Sequence, residues 1–170
     1  GPGATGNVPV TLSQAAPAGG LLVSLGSSDP SILAFASPTV TIPAGATIAP
    51  SNPIVNATTT LGTVTLTASG TTYVSGTSSG RVVLTATLSP DPLNTLVGRT
   101  DQMTVTLSAP AVAGGVTINL VSSNVAVATV PASATVPQGN VAATFGVTGV
   151  TAGNGVTITA SGALIANDTA

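Results

Sequence analysis

Two stretches of this 170-residue chain repeat each other. Val10–Ser28 and Val105–Ser123 are identical at 11 of 19 positions when aligned at a separation of 95. The match resumes at shorter separations of 94 and 92, in the pairs Thr41–Gly45 with Thr135–Gly139 and Thr65–Gly70 with Thr157–Gly162. A repeat of this length exceeds a solenoid turn or a propeller blade and fits a small domain, so we predict two tandem domains of one family.

Within each copy, apolar and polar residues alternate with a period of two, which predicts strands with one buried face. In "RVVLTATL" the inward residues are Val82, Leu84, Ala86 and Leu88, and equivalent patterns occur in "TVTLTA", "MTVTL" and "GVTINL". Gly, Pro and Asn-Gly turn signals separate the strands, and no segment has a helical period. Short strands at this spacing predict antiparallel Greek-key β-sandwiches.

The composition predicts a folded chain with an aliphatic core. Hydrophobic residues make up 43% and charged residues 4%, whereas a disordered chain has low hydrophobicity. No apolar run approaches the roughly 18 residues that would span a bilayer, so we expect no membrane insertion. With only three aromatic residues, we expect Val, Leu, Ile and Ala to form the cores, completed by Phe35 and Ile54 in the first domain and by Phe145 in the second.

The motif order resembles a known family. "VTLS…VAGG…INLVSSNVAVATVPASATVPQG…VTITAS" in the second copy, with its counterpart in the first, is similar to the bacterial Ig-like repeats found in tandem in secreted and cell-surface proteins. The resemblance implies an all-β chain of two tandem Ig-like antiparallel Greek-key β-sandwiches. It also implies an extracellular location and a role as a stalk, an adhesin arm or a surface-layer component, and it implies no catalytic site.

The two copies differ at their ends. We predict an Ig-like β-sandwich over residues 1–89 that lacks most of its first strand, and a second over residues 90–170 that lacks its last strand. Exposed strand edges invite pairing, so something should fill both gaps. Either the chain is an excised piece of a longer array, as Gly1-Pro2-Gly3 without an initiator methionine suggests, or neighbouring subunits supply the missing strands.

Charged residues are few: Arg81, Arg99, Asp29, Asp91, Asp101 and Asp168. Two basic residues cannot form a surface that follows a phosphate backbone, so we expect no nucleic-acid partner. Without His or Cys, and with four carboxylates, we expect neither catalysis nor a cofactor. Asp91 and Asp101 are the candidates for a calcium site, against the more ordinary role of turn or Asx-cap residues.

Other candidate sites have simpler alternatives. Tyr73 is the ring most open to a carbohydrate, but one tyrosine makes no platform, and we expect it to pack over its own loop. Rows such as "TVTLT" resemble the Thr-x-Thr rows of some ice-binding proteins, yet Thr is also the usual outward residue of a strand. Asn56 and Asn167 begin glycosylation sequons, which arise often by chance in a Thr-rich chain.

Together these observations predict a non-enzymatic, extracellular structural protein, a repeat unit of a surface fibre, stalk or filament assembled through β-strand edges. Its expected partners are copies of itself or neighbouring repeats of a longer chain. The alternative is an adhesin or a module that binds a carbohydrate or protein ligand through loops at one end of a sandwich. Ice binding through the Thr rows is a remote third hypothesis.

Overall fold

A computed structural model of the chain describes the backbone of residues 1–170 and every side chain except that of Asn167. The strands are β1 (Thr5–Asn7), β2 (Leu21–Ser27), β3 (Leu33–Phe35), β4 (Thr39–Ile42), β5 (Ile54–Ala57), β6 (Gly62–Gly70), β7 (Tyr73–Val82), β8 (Leu84–Ser89), β9 (Thr100–Leu107), β10 (Val116–Ser122), β11 (Ala128–Thr129), β12 (Ser133–Val136), β13 (Ala142–Gly149), β14 (Ile158–Gly162) and β15 (Ile165–Thr169). The prediction of an all-β chain is confirmed. Over the described residues there is no helix that could cross a membrane.

The chain divides into two compact units, Gly1–Val82 and Val83–Ala170. We had placed the boundary between residues 89 and 90, with "RVVLTATL" as the last strand of the first domain. The structure instead ends β7 at Val82 and begins β8 at Leu84. Because β8 pairs with β9 and β15, it belongs to the second unit.

The first unit contains two sheets that share a core. The three-stranded sheet has the order β1-β5-β3, and the four-stranded sheet has the order β4-β2-β6-β7. Leu33 and Val55 from the smaller sheet pack with Val64, Leu66 and Val82 from the larger one. Strand β5 begins at Ile54, because the preceding Pro53 has no N–H to donate to the ladder with β1, although its carbonyl accepts the N–H of Val8 at 2.9 Å.

The second unit is one curled sheet with the order β11-β13-β9-β8-β15-β14-β10-β12. Strand β8 joins the two halves of this sheet by pairing with a different strand at each of its ends. Its first residues, Leu84 and Thr85, pair in parallel with β15, and Ala86–Ser89 pair antiparallel with β9. We had predicted that the second domain lacks its last strand, but the structure places β15 there, in a hairpin with β14.

Most of the predicted inward residues are buried, and Ala68 and Val116 are half-buried. Strand β8 alternates strictly between buried and exposed positions, and Val64, Leu66, Met103, Val105 and Leu107 lie in the cores. Phe145 is buried and Phe35 is half-buried, but Ile54 is 47% exposed. The prediction for Ile54 is wrong because β5 directs its neighbour Val55 inward, and period-two alternation then turns Ile54 outward.

Corresponding turns of the two units have the same hydrogen bonds. Gly20 and Gly115 both have positive φ, of 82° and 79°, and each donates its N–H to a carbonyl three residues earlier at 2.9 Å. A β-carbon at either glycine would lie 2.9 Å from a backbone oxygen, so the close approach requires glycine. The repeat in the sequence is therefore a repeat in local backbone structure.

Candidate functional site

The first unit has no strand at the position that β8 occupies in the second unit. By the sequence separation of 95, Thr100–Leu107 of β9 corresponds to residues 5–12. By the separation of 92, Ile165 and Ala166 of β15 correspond to Tyr73 and Val74 of β7. In the second unit β8 lies between these two neighbours, whereas in the first unit a groove lies there. We call it the edge groove.

The floor of the edge groove is apolar. A cavity of about 210 Å³ is lined by the segment Val8–Leu12, by β7 and by core side chains that include Leu25, Phe35 and Leu66. A second cavity of about 370 Å³ continues it towards Arg81 and shares Val8, Pro9, Leu66 and Ser78 with the first. The edge groove therefore follows the length of β7.

Both walls of the edge groove carry main-chain groups that can pair with another strand. Strand β7 pairs with β6 alone, so its other edge is open. On the opposite wall, Thr11 forms only an isolated bridge to Ile48, on the side away from the groove. Its counterpart Thr106 pairs with Ala142 on one side and with Thr87 of β8 on the other. Open edges of this kind are templates for strand addition.

Tyr73 lies at one end of the edge groove. Its ring is half-buried against the core cluster of Val10, Leu21 and Val23, and its hydroxyl donates to the carbonyl of Ala15 at 3.0 Å. We expected this ring to pack over its own loop, which is wrong, because the core beneath the groove offers more apolar surface. The next residue, Val74, is 99% exposed.

The carboxylate of Asp101, near the start of β9, contacts side chains of the preceding loop. Thr95 Oγ1 donates to one carboxylate oxygen and Arg99 Nε to the other, each at 2.8 Å. The hydrogen bond from Thr95 and the charge and hydrogen bond of Arg99 together hold the pKa of Asp101 below its ordinary value, against a smaller opposing effect of burial. Asp91 lies exposed in the segment between β8 and β9.

Among the described side chains, no three His, Cys, Asp or Glu residues are grouped closely enough to hold a metal ion. Both oxygens of Asp101 already accept hydrogen bonds from the loop that precedes β9. A calcium ion would have to displace these donors before it could bind there. The structure places Asp101 in strand β9, paired with Val147, and not in the turn or Asx-cap position that the sequence predicted as the alternative to calcium binding.

Asn56 and the Thr row of β4 do not line the edge groove, whereas Thr67 of the β6 row does. Asn56 is exposed on β5, the middle strand of the smaller sheet, and the side chain of Asn167 lies outside the part that the structure describes. The Thr rows of β4 and β6 do not adjoin, because β2 lies between them and presents Leu22, Ser24 and Gly26 outward.

The second unit has a cavity of its own at the end that holds the loop after β8. Its volume is about 570 Å³, and it is lined by residues 92–97, by residues 151–156 and by core side chains such as Met103 and Val147. No acidic or basic side chain contributes to the lining.

Alignment of the two copies also indicates where the edge groove differs from the filled position of the second unit. Pro9 aligns with Thr104, Tyr73 with Ile165 and Val74 with Ala166. No family model matches this chain, and no curated protein is similar to it.

Proposed function

We propose that this chain is a non-enzymatic structural protein of the cell surface or extracellular space, a repeat unit of a fibre, stalk or filament that assembles through its β-strand edges. One observation carries the proposal: a strand position that β8 fills in the second unit is an open, apolar groove in the first. Its partners are copies of itself or neighbouring repeats. An apolar groove between two open edges favours strand pairing with another chain.

We propose further that each unit is an Ig-like Greek-key sandwich of the bacterial tandem-repeat kind. Support comes from the matched hydrogen bonds of the two units. Ser28 donates its N–H to Thr65 and Ser123 donates its N–H to Thr157, each at 2.9 Å. The hairpins β6–β7 and β14–β15 also have a register shift at the same aligned position, after Ala68 and Ala160.

The surface chemistry favours association. Six charged side chains over 170 residues, with a net charge of −2, give little repulsion between molecules. Two of these six charged side chains, Arg99 and Asp101, form an ion pair with each other. Exposed apolar side chains are present in both units, among them Leu22, Val74, Leu96 and Val125. Assembly driven by such contacts should depend little on salt concentration.

Electron microscopy of the native material tests the proposal. We expect filaments, and we expect the purified chain to form large species by light scattering at high concentration. Val74→Lys should reduce assembly because it places a charge on the open edge of β7. Val125→Lys adds the same charge to an exposed valine of the second unit and is the control. A monodisperse native protein with no filaments would contradict the proposal.

The cavity of the second unit is the observation that favours the alternative, a module that binds a ligand at one end. Its lining combines apolar groups with uncharged polar residues such as Asn94 and Asn154, which suits a neutral ligand. The same microscopy separates the alternatives, because a ligand-binding module gives single particles whose state does not change with Val74→Lys.

A further inference from the structure

We infer that the edge groove binds an extended strand with aliphatic side chains at every second position and Thr or Ser between them. The inference rests on the proposed function and adds the chemistry and register of the bound strand. The second unit provides the template, because Leu84–Ser89 occupies the corresponding position there.

The register of the bound strand follows from the aligned neighbours of β8. In the second unit Ala86 pairs with Leu107 and Leu88 with Val105, antiparallel. The corresponding residues of the first unit are Leu12 and Val10. On the other side Leu84 pairs in parallel with Ile165, whose counterpart is Tyr73. The bound strand therefore lies antiparallel to Pro9–Leu12 and parallel to the start of β7.

Two further hydrogen bonds, one of them to a side chain, extend this register. In the second unit Ser108 donates its N–H to the carbonyl of Thr85 at 2.9 Å, and Thr85 donates its N–H to Ser108 Oγ at 3.0 Å. The first copy has the same residue type there, Ser13, which is exposed and lines a neighbouring cavity that shares Thr11, Leu12, Tyr73 and Val74 with the edge groove. Ser13 can thus make the same pair of hydrogen bonds to a bound strand.

The side-chain pattern of the bound strand follows from what β8 buries. Leu84, Ala86 and Leu88 are 1%, 4% and 7% exposed, and the residues between them are exposed. In the first unit the corresponding inward positions face Val10, Leu25, Phe35 and Leu66 across the groove. No charged side chain lines the 210 Å³ cavity, so a neutral, aliphatic face fits it.

Pro9 limits how tightly the groove binds. Its counterpart Thr104 pairs with Ser89 of β8, but proline has no N–H to donate. Proline on an edge strand also reduces unwanted pairing. The groove therefore selects a strand that pairs at Thr11, Ser13 and β7, and restoring the N–H at position 9 should strengthen binding.

A peptide with the sequence VVLTATLSP, that of residues 82–90, tests the inference on the full chain. The control peptide VVTLALTSP has the same composition, but its Leu and Thr positions are exchanged, so that Thr faces the groove. Tyr73 is the sole tyrosine of a chain without tryptophan, and its fluorescence therefore reports on the groove. We expect saturable binding of the first peptide and at least tenfold weaker binding of the control.

Variants of the groove walls test the register. Pro9→Thr should tighten peptide binding about three- to tenfold, the value of one hydrogen bond. Val74→Pro should weaken it about tenfold, because it removes an N–H from the open edge. Val74 lies in the register shift between the pairs Gly70–Tyr73 and Ala68–Gly76, where it has no partner on β6. Val74→Thr keeps the N–H and is the control, with unchanged binding expected.

The outcomes separate this inference from the proposed function. Equal binding of both peptides, no binding, or no response to Pro9→Thr and Val74→Pro would overturn the inference. If filaments form normally while the peptide fails to bind, the proposed function stands, and the edge groove is excluded as the contact site between subunits. Specific peptide binding by a chain whose native material shows no filaments would support the groove and contradict the fibre.

Discussion

Asp91 and Asp101 are the two carboxylates closest in sequence, and the fold gives them different surroundings. Asp91 is exposed, whereas Asp101, the second residue of β9, accepts hydrogen bonds from Thr95 and Arg99 of the preceding loop. Arg99 also exchanges main-chain hydrogen bonds through this loop, accepting from Gly149 at 3.0 Å. The sequence predicts turn or Asx-cap roles for both residues, but the structure places Asp101 in β9, and only Asp91 lies in a bend between β8 and β9.

The lowered pKa of Asp101 predicts a pH dependence of stability. A carboxyl whose pKa is lower in the folded than in the unfolded chain stabilises the fold above the unfolded pKa, near 4. This stabilisation is lost as the pH falls through the folded value. We therefore expect Asp101→Asn to lower the free energy of unfolding at pH 7 and the difference from the unaltered chain to shrink below pH 4.

Urea unfolding at pH 7, 4 and 2.5 measures this effect. Asp91→Asn is the matched control, because it removes the same charge from an exposed position. If Asp101→Asn and Asp91→Asn gave the same pH profile, the contacts of Asp101 would contribute nothing to stability.

Strand β8 shows how one element can serve two partners. It pairs with β15 at its start and with β9 at its end, and where it leaves β15 the side chain of Asp168 replaces a main-chain acceptor. Asp168 Oδ2 accepts the N–H of Leu88 at 2.8 Å. The alternation of "RVVLTATL" predicts the inward residues, but alternation continues unchanged across the boundary between Val82 and Leu84.

Leu84→Ala tests which unit contains β8. Leu84 is 1% exposed in the second unit, so we expect a loss of about 2–5 kcal/mol in the stability of that unit. Far-UV circular dichroism should show an earlier unfolding transition, while the transition of Tyr73 fluorescence in the first unit stays in place. Thr85→Ala changes an exposed neighbour and should shift neither. An earlier Tyr73 transition would place β8 in the first unit instead.

The two units differ in how completely their cores are covered. In the second unit three buried side chains of β8 cover the core. In the first unit no strand covers the corresponding core side chains, which line an open groove: Val10, Leu25, Phe35 and Leu66. Main-chain groups along β7 are also left for water. The same repeat therefore produces one covered core and one core open at an edge.

This difference predicts the order of unfolding. We expect the first unit to unfold at a lower urea concentration, with a free energy at least about 2 kcal/mol smaller, the contribution of one buried leucine. Tyr73 fluorescence reports the first unit and hydrogen exchange at β9 and β13 reports the second. Saturating VVLTATLSP should raise the Tyr73 midpoint alone. Coincident midpoints, or earlier exchange in β9 and β13, would contradict the prediction.

The sequence by itself determined the strands, the inward faces and the repeat, because these depend on local periodicity and on a comparison of one copy with the other. The all-β class and the burial of Leu84, Ala86 and Leu88 follow from alternation alone. The alignment of the two copies also predicted that the first copy lacks most of its first strand, and the edge groove lies at that position.

Only the tertiary structure decided which strands pair. It moved the boundary from Ser89 to Val82, placed β15 where we expected a gap, and turned Tyr73 onto the core. The physical reason is that strand pairing uses main-chain hydrogen bonds between residues far apart in sequence, such as Leu84 with Leu164. Side-chain alternation sets the face that a strand buries, but it is the same whichever neighbour the strand selects.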